Sequence, residues 1–432
     1  MTLAGSLSSR PAGPHGRDAE ITDLHVLLDG VRHGHGGALL LTAPPGCGRT
    51  TLLRYAARAF GPSPVVDVAG VLAERGWPHA GLHAVLSRAA ALGLAPPPAR
   101  WPGDRPAALE LLRTLRALTA SAGPVLLCVD DAHLVDPTSR SALGFAARRL
   151  GPGLAVGLVL SVERDASAAP EFAGLPVRHV GRLGRASCAA LLDDLLPTGS
   201  DAGARERLLT EAGGVPGVLA ELAALPGAAA PGGPAWEGPH PPGSLLGRYA
   251  ARVGELPADT RTALLLAATE ASRRAAGPGA GERSGRDGAA DGVRRWVAAV
   301  RAAGLDPVCL EPAEHAGLVR TGGGALRFDP PVVARLVYAG ATLAARRAAH
   351  RLLADVGTCG GWPLGALTPQ QLRITRYVAE GATNREVSEL LGVSPRTVDY
   401  HLRNVFTALG VRSRVELTRL VGRVERPEWA AS

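Results

Sequence analysis

The chain has 432 residues, 46% of them hydrophobic but only 4% aromatic, and its 47 basic residues against 39 acidic ones give a formal charge of +8. That length allows two to four domains with real cores, and the charge fits nucleic-acid binding without establishing it, since a basic surface can equally be a solvated face. No run reaches the roughly eighteen apolar residues of a membrane span, and the start lacks the apolar core of a signal peptide. The five cysteines, Cys47, Cys128, Cys188, Cys309 and Cys359, form no CxxC pair. A disulfide framework and a cysteine zinc site are therefore excluded, and a cytoplasmic protein with no membrane partner is expected. Every basic residue is an arginine, a bias of high-G+C coding, so Arg stands where other proteins carry Lys.

After a disordered start over residues 1–15, a helix opens at Gly16-Arg17-Asp18. Residues 38–42 (ALLLT) predict a buried strand, and Ala43-Pro44-Pro45-Gly46-Cys47-Gly48-Arg49-Thr50-Thr51 leads into a helix over 52–60. Strand, glycine-bearing loop, small hydroxyl residues and helix form the layout of a phosphate-binding loop, with Gly46 and Gly48 letting N–H groups turn inward and Thr50 offering a hydroxyl to Mg²⁺. Two positions depart from the usual pattern: Ala43 replaces the first Gly, and Arg49 replaces the Lys, which is not a conservative exchange at a phosphate. An ordinary Gly/Pro turn is the competing reading of the loop by itself.

A second buried strand, residues 124–129, ends in Asp130-Asp131 some 80 residues after the loop. A carboxylate at the end of a strand parallel to the loop's strand is where a nucleotide-binding sheet keeps its metal-holding acid, so Asp130 is assigned to Mg²⁺ and Asp131 to polarising a water. A further strand over 154–162 leaves Ser161 and Arg164 at its exit, where a γ-phosphate could be sensed. Residues 225–242, rich in Pro and Gly, form a linker. Helices of an accessory domain are expected over 243–356, interrupted by a flexible low-complexity insert at 273–292, and residues 357–366 form a second linker.

The last segment, 367–424, has explicit helix punctuation, followed by a tail over 425–432. Thr368 with Gln371 and Thr383 with Glu386 form capping boxes, Gly381 and Gly392 end the first two helices, and Ser394-Pro395 starts the third. Val387, Leu390 and Leu391 supply the second helix's apolar face. The third carries Val398, Leu402, Val405 and Leu409 on one stripe, and Ser413 with Glu416 caps a fourth. Two helices joined by a short turn around a Gly, the second with a polar, Arg-bearing outer face, meet the requirements of a DNA-reading helix-turn-helix. Its nine Arg against five Asp or Glu give it a charge of 9 − 5 = +4.

The segment closely resembles the LuxR-type helix-turn-helix in Leu367-Thr368-Pro369, Glu380-Gly381, Asn384-Arg385-Glu386, Ser394-Pro395-Arg396-Thr397-Val398 and Leu409-Gly410-Val411. Gly16-Arg17, the loop, Asp130-Asp131-Ala132-His133, Asp136-Pro137 and Gly213-Gly214-Val215-Pro216 similarly resemble the ATP-binding LuxR-type regulators of the STAND class of NTPases. The phrase from Phe328 to Tyr338 resembles the winged-helix end of the same family. No 34-residue self-similarity is present, so the helical-repeat sensor region common in that family is expected to be absent.

The resemblance implies a multidomain α/β plus α architecture: a P-loop parallel-sheet NTPase domain over 16–224, a helical and winged-helix accessory domain, and a four-helix DNA-binding domain. It implies ATP with Mg²⁺ at Gly46, Cys47, Gly48, Arg49, Thr50, Thr51, Asp130 and Arg164, with Pro216 near the adenine. It places Asp399, Tyr400 and Arg403 toward base edges, while Asn384, Arg396, Thr397, Arg412 and Arg414 are candidates for phosphates. The expected partners are double-stranded DNA with two half-sites, a second copy of the chain in a homodimer or ligand-dependent oligomer, and RNA polymerase. Three readings follow: a transcriptional regulator switched by ATP, a regulator with a nucleotide-free N-terminal scaffold, and an NTP-hydrolysing enzyme. Arg49 argues against fast turnover, leaving at most a slow ATPase.

Overall fold

A computed structural model describes residues 14–94, 107–163, 170–230, 240–241, 243–276, 286–322, 325–356, 367–379, 381–409, 411, 413, 414, 416–418 and 421. The chain divides into two compact units, Met1–Leu209 with Gly214–Gly233, and Thr210–Gly213 with Pro234–Ser432.

The first unit opens with α1 (Asp18–Arg32), β1 (Gly37–Ala43), α2 (Arg49–Phe60), β2 (Val65–Ala69), α3 (Ala80–Ala91) and α4 (Ala107–Ala122). It continues through β3 (Val125–Asp130), α5 (Pro137–Ala147), β4 (Val156–Glu163), β5 (Val177–His179), α6 (Arg185–Leu195), α7 (Ala202–Ala212) and α8 (Pro216–Ala223). The five strands form one sheet in the order β2-β3-β4-β1-β5, and every pairing is parallel. Continuous apolar runs such as Val125-Leu126-Leu127-Cys128-Val129 suit strands covered on both faces, and those five residues are buried. On one face of the sheet Leu82, Leu111, Leu118, Leu143, Leu158 and Leu160 pack with Val125, Leu127 and Val129 into one core cluster. Asp136 caps α5 by accepting the Ser139 N–H, with Pro137 at the first helical position, as the Asp-Pro pair requires. Helix α2 begins at Arg49, three residues before the start predicted from apolar periodicity, because Gly48 (φ 99°) turns the loop directly into the helix.

The second unit contains α9 (Leu245–Gly254), α10 (Ala258–Ala276), α11 (Arg286–Ala302), α12 (Glu311–His315), β6 (Val319–Gly322), β7 (Ala325–Phe328), α13 (Val332–Gly340) and α14 (Leu343–Val356). Trp296 on α11 is buried and its indole N–H donates to the Ala263 carbonyl on α10 at 2.9 Å. β6 and β7 pair antiparallel from Val319↔Phe328 to Gly322↔Ala325, the hairpin of a wing. The stretch 273–292, expected as a flexible insert, is partly helical: α10 runs to Ala276 and α11 starts at Arg286, while residues 277–285 lie outside the described residues. Its ends carry Ala and Arg (Arg273-Arg274-Ala275-Ala276 and Ala289-Ala290), which are high in helix propensity.

Helices α15 (Pro369–Ala379), α16 (Asn384–Leu391) and α17 (Pro395–Leu409) follow, and beyond them the described residues 414, 416–418 and 421 are helical, with the Glu416 N–H donating to Ser413 and with Leu417 and Val421 in the core they share. Both capping boxes form: Thr368 N–H donates to Gln371 and Gln371 N–H to the Thr368 hydroxyl, and Thr383 and Glu386 exchange the same pair of bonds. Gly392 is left-handed (φ 64°) at the end of α16, and the Thr397 N–H donates to Ser394. Leu367, Leu372, Ile374, Val378, Val387, Val398, Leu402 and Val405 form the core. Leu390 departs from its expected place on the apolar face of α16, being 62% exposed. The i, i+4 pair Val387 and Leu391 sets the buried face, and Leu390 falls at its edge. Among the described residues no helix is long and apolar enough to cross a membrane.

Candidate nucleotide site and nucleic-acid interface

The sheet order places β4 between the loop's strand and the strand ending in Asp130. Thr50, in the first turn of α2, nonetheless reaches across, its hydroxyl donating to Asp130 Oδ2 at 2.6 Å. The other oxygen of Asp130 accepts from Ser161 Oγ of β4 at 2.5 Å and from the Asp131 N–H at 3.0 Å. Ser161 is fully buried and also accepts the Asp131 N–H at 2.9 Å. It therefore braces the acid from the intervening strand. Asp131 itself is left-handed (φ 45°, ψ 46°), an uncommon conformation for a residue with a side chain, and it accepts from Arg49 at 2.9 Å.

The loop is held from behind by Arg17, which is 4% exposed. One guanidinium nitrogen donates to the carbonyls of Cys47 (2.7 Å) and Gly181 (2.8 Å), and another to Glu20 (3.1 Å). Only the resemblance singled out Arg17; no local pattern reveals its two carbonyl partners, which lie 30 and 164 positions away. From the other side the Gly217 N–H donates to the Gly46 carbonyl at 2.8 Å. A Cβ added at Gly48 would meet Pro216 Cγ at 4.0 Å, so the first residue of α8 lies beside the loop.

The donor set fits a magnesium nucleotide. Gly48 has no side chain to cap α2, whose N-terminal N–H groups and positive dipole end suit phosphate, and Thr50 and Thr51 are exposed there. Thr50 and Asp130 would offer two oxygen donors to magnesium, which ordinarily completes its shell with phosphate and water. Among the described residues no group of three or more His, Cys, Asp or Glu could hold a metal by itself. Burial lowers the pKa of His133, with Asp131 and Glu163 opposing. Burial, helped by Asp67 and Asp130, pushes the Cys128 thiol up to about 12, which removes it as a nucleophile. Arg164 lies outside the described residues.

On α17 the exposed residues Arg396, Tyr400 and Arg403 follow an i, i+4, i+7 spacing opposite the buried Val398, Leu402 and Val405. Tyr400 is 63% exposed and the Arg403 side chain 79%. Arg403 pairs with Asp399 at 2.8 Å, the alternative partner that any Arg four residues along a helix offers. Thr397 is half-buried, its hydroxyl bonded to Ser394 at 2.8 Å. Arg414 is turned inward, away from the role expected of a phosphate contact. It donates to the carbonyl of Ala382, and to those of Val378 (3.5 Å) and the Asn384 side chain (3.4 Å). Arg412 lies outside the described residues. Burial lowers the pKa of His401, also on α17.

Residues 14–160 match the AAA ATPase domain family, and residues 365–421 match the bacterial regulatory proteins of the luxR family. A Mycobacterium bovis protein named as an HTH-type transcriptional regulator is 47% identical over 57 residues, 13% of this chain and 6% of that protein. The nitrate/nitrite response regulator protein NarP of Escherichia coli is 38% identical over 58 residues, 13% of this chain and 27% of that protein. The chain thus spans only a small part of the curated relatives it matches. Among solved structures, Cdc6p of Pyrobaculum aerophilum aligns at 17% identity and a TM-score of 0.41 over 81% of this chain and 97% of its own. The chain joins an N-terminal AAA ATPase domain to a C-terminal helix-turn-helix domain of the LuxR regulatory family.

Proposed function

We propose that the protein is a sequence-specific DNA-binding transcriptional regulator whose DNA binding is governed by ATP at the AAA domain. The observation that carries the reading is the exposed stripe Arg396, Tyr400 and Arg403 on α17, whose start is capped by Ser394, in a chain whose loop hydroxyl Thr50 is within hydrogen-bond distance of Asp130. Arg403 would read guanine O6 and N7, with Asp399 accepting from cytosine N4 once released from Arg403. Arg396, Thr397 and Asn384 would set register on phosphates. Thr50 and Asp130 would hold magnesium on the nucleotide, while the loop residues 46–51 take its phosphates and Pro216 lies toward the base.

Nucleotide loading would favour a state that self-associates, raising the effective concentration of two reading helices on a two-half-site operator, with RNA polymerase as the downstream partner. The test is to select a duplex from a randomised pool with the intact chain, then measure mass and affinity for it with and without MgATP. Mass and affinity that both rise with MgATP are expected. Values unchanged by MgATP despite binding of labelled ATP would sink the switch. No binding of labelled ATP at millimolar concentration would leave the nucleotide-free scaffold, and steady phosphate release with no DNA selected would leave the hydrolase.

A further inference from the structure

The nucleotide loop departs from the usual pattern at one charge, Arg49, whose surroundings define a competition. The side chain is 9% exposed. One terminal nitrogen donates to Asp131 Oδ1 at 2.9 Å and the other to the carbonyl of Ala43, the last residue of β1, at 3.2 Å. A lysine ammonium is a compact point charge, whereas a guanidinium is a planar fork that holds two acceptors together. Both acceptors on this fork are protein oxygens, and one is an anion.

The backbone of Asp131 is set by the sheet, its left-handed conformation and its N–H, shared between Asp130 and Ser161, placing the residue just past the end of β3 within reach of Arg49. A carboxylate and the terminal phosphate of a nucleotide are both anions that an arginine binds through its paired N–H groups. One guanidinium cannot serve both fully.

We propose that Asp131 and the terminal phosphate of ATP compete for Arg49, so that loading ATP exchanges one anionic partner for the other and frees Asp131. This rests on the nucleotide reading above. ADP lacks the competing phosphate and leaves the pair closed, so the exchange distinguishes the two nucleotides. Asp131 is accordingly a positioning residue for Arg49, able to polarise a water only after the exchange. Slow turnover then follows from the geometry of the pair as well as from the lost lysine.

The test is calorimetric binding of MgATP and MgADP to the intact chain, comparing wild type, Asp131→Asn, Arg49→Ala and the double variant. Asp131→Ser serves as a second removal of the charge, and unfolding midpoints check that each variant is folded. Loss of the Asp131 charge is expected to tighten MgATP about tenfold and MgADP less than about twofold, with the MgATP gain vanishing in the Arg49→Ala background. An equal gain in both Arg49 backgrounds, or for both nucleotides, would mean simple relief of charge repulsion and overturn the competition. Unchanged affinity would overturn it too, while leaving the nucleotide site standing. Folded proteins of which none binds either nucleotide would remove the nucleotide site itself and this inference with it.

Discussion

Asp136 is 1% exposed and accepts the N–H groups of His79, Gly81 and Ser139, each at 3.0 Å. Burial works against its charge, but the bonds from Ser139, Gly81 and His79 outweigh it and hold the carboxyl below its usual range. A folded pKa below the unfolded one means a contribution that is complete above about pH 4 and lost as the pH falls through the folded value. Asp136→Ala should therefore cost about 2–4 kcal/mol, because it leaves several buried donors unpaired at once. Denaturant unfolding at pH 7 measures that cost, and the deficit relative to wild type should shrink below pH 4. The cap on α5 was legible in the sequence, since Asp-Pro before an apolar run is a local signal. The bonds to His79 and Gly81, more than fifty positions away, carry no local signature. The same division separates Thr50, recognisable by its place after the loop glycines, from Arg17, whose partners only the folded sheet brings near.

Among elements, the helix-turn-helix was the most legible because its information is local: each of the three helix starts is set by a capping residue, and the positive-φ glycines Gly381 and Gly392 follow α15 and α16. What sequence could not resolve is which arginines point outward. Arg396 and Arg414 look alike as letters, yet one is exposed and the other clamps the carbonyls that precede α16. The two substitutions should separate accordingly. Arg396→Ala should weaken DNA binding about uniformly across sequences and reduce the slope of log affinity against log salt by about 1. Arg414→Ala should instead lower the unfolding midpoint of the domain and leave that slope unchanged in protein that remains folded. An unchanged midpoint with a reduced slope for Arg414→Ala would return it to the phosphate contacts. The insert at 273–292 shows the converse limit, because composition alone cannot tell an Ala-rich helix end from a loop.

Across the second unit, α15 is held by the winged part through charge. Arg373, with a side chain 10% exposed, donates to Glu311 (2.7 Å) and Glu314 (3.2 Å) on α12, and Arg376 pairs with Asp306. Tyr400 and Arg403 stay exposed with these pairs in place, so docking of α15 leaves this face of α17 open. Arg373→Ala should speed amide exchange in α15 of the intact chain, since it removes both ion pairs to α12, while DNA affinity changes by less than about twofold. A large loss of affinity in folded protein would mean that the clasp also orients the reading helix.

The tie from Arg17 to Gly181 sets a clock on the first unit. Its two residues are 164 positions apart, and the Gly46–Gly217 bond spans 217 − 46 = 171. A chain made at roughly 5–20 residues per second needs on the order of ten seconds or more between the first and last of these groups. Through that interval the loop's residues exist without the ties to Gly181 and Gly217, and the loop is among the last parts of its domain that synthesis allows to close.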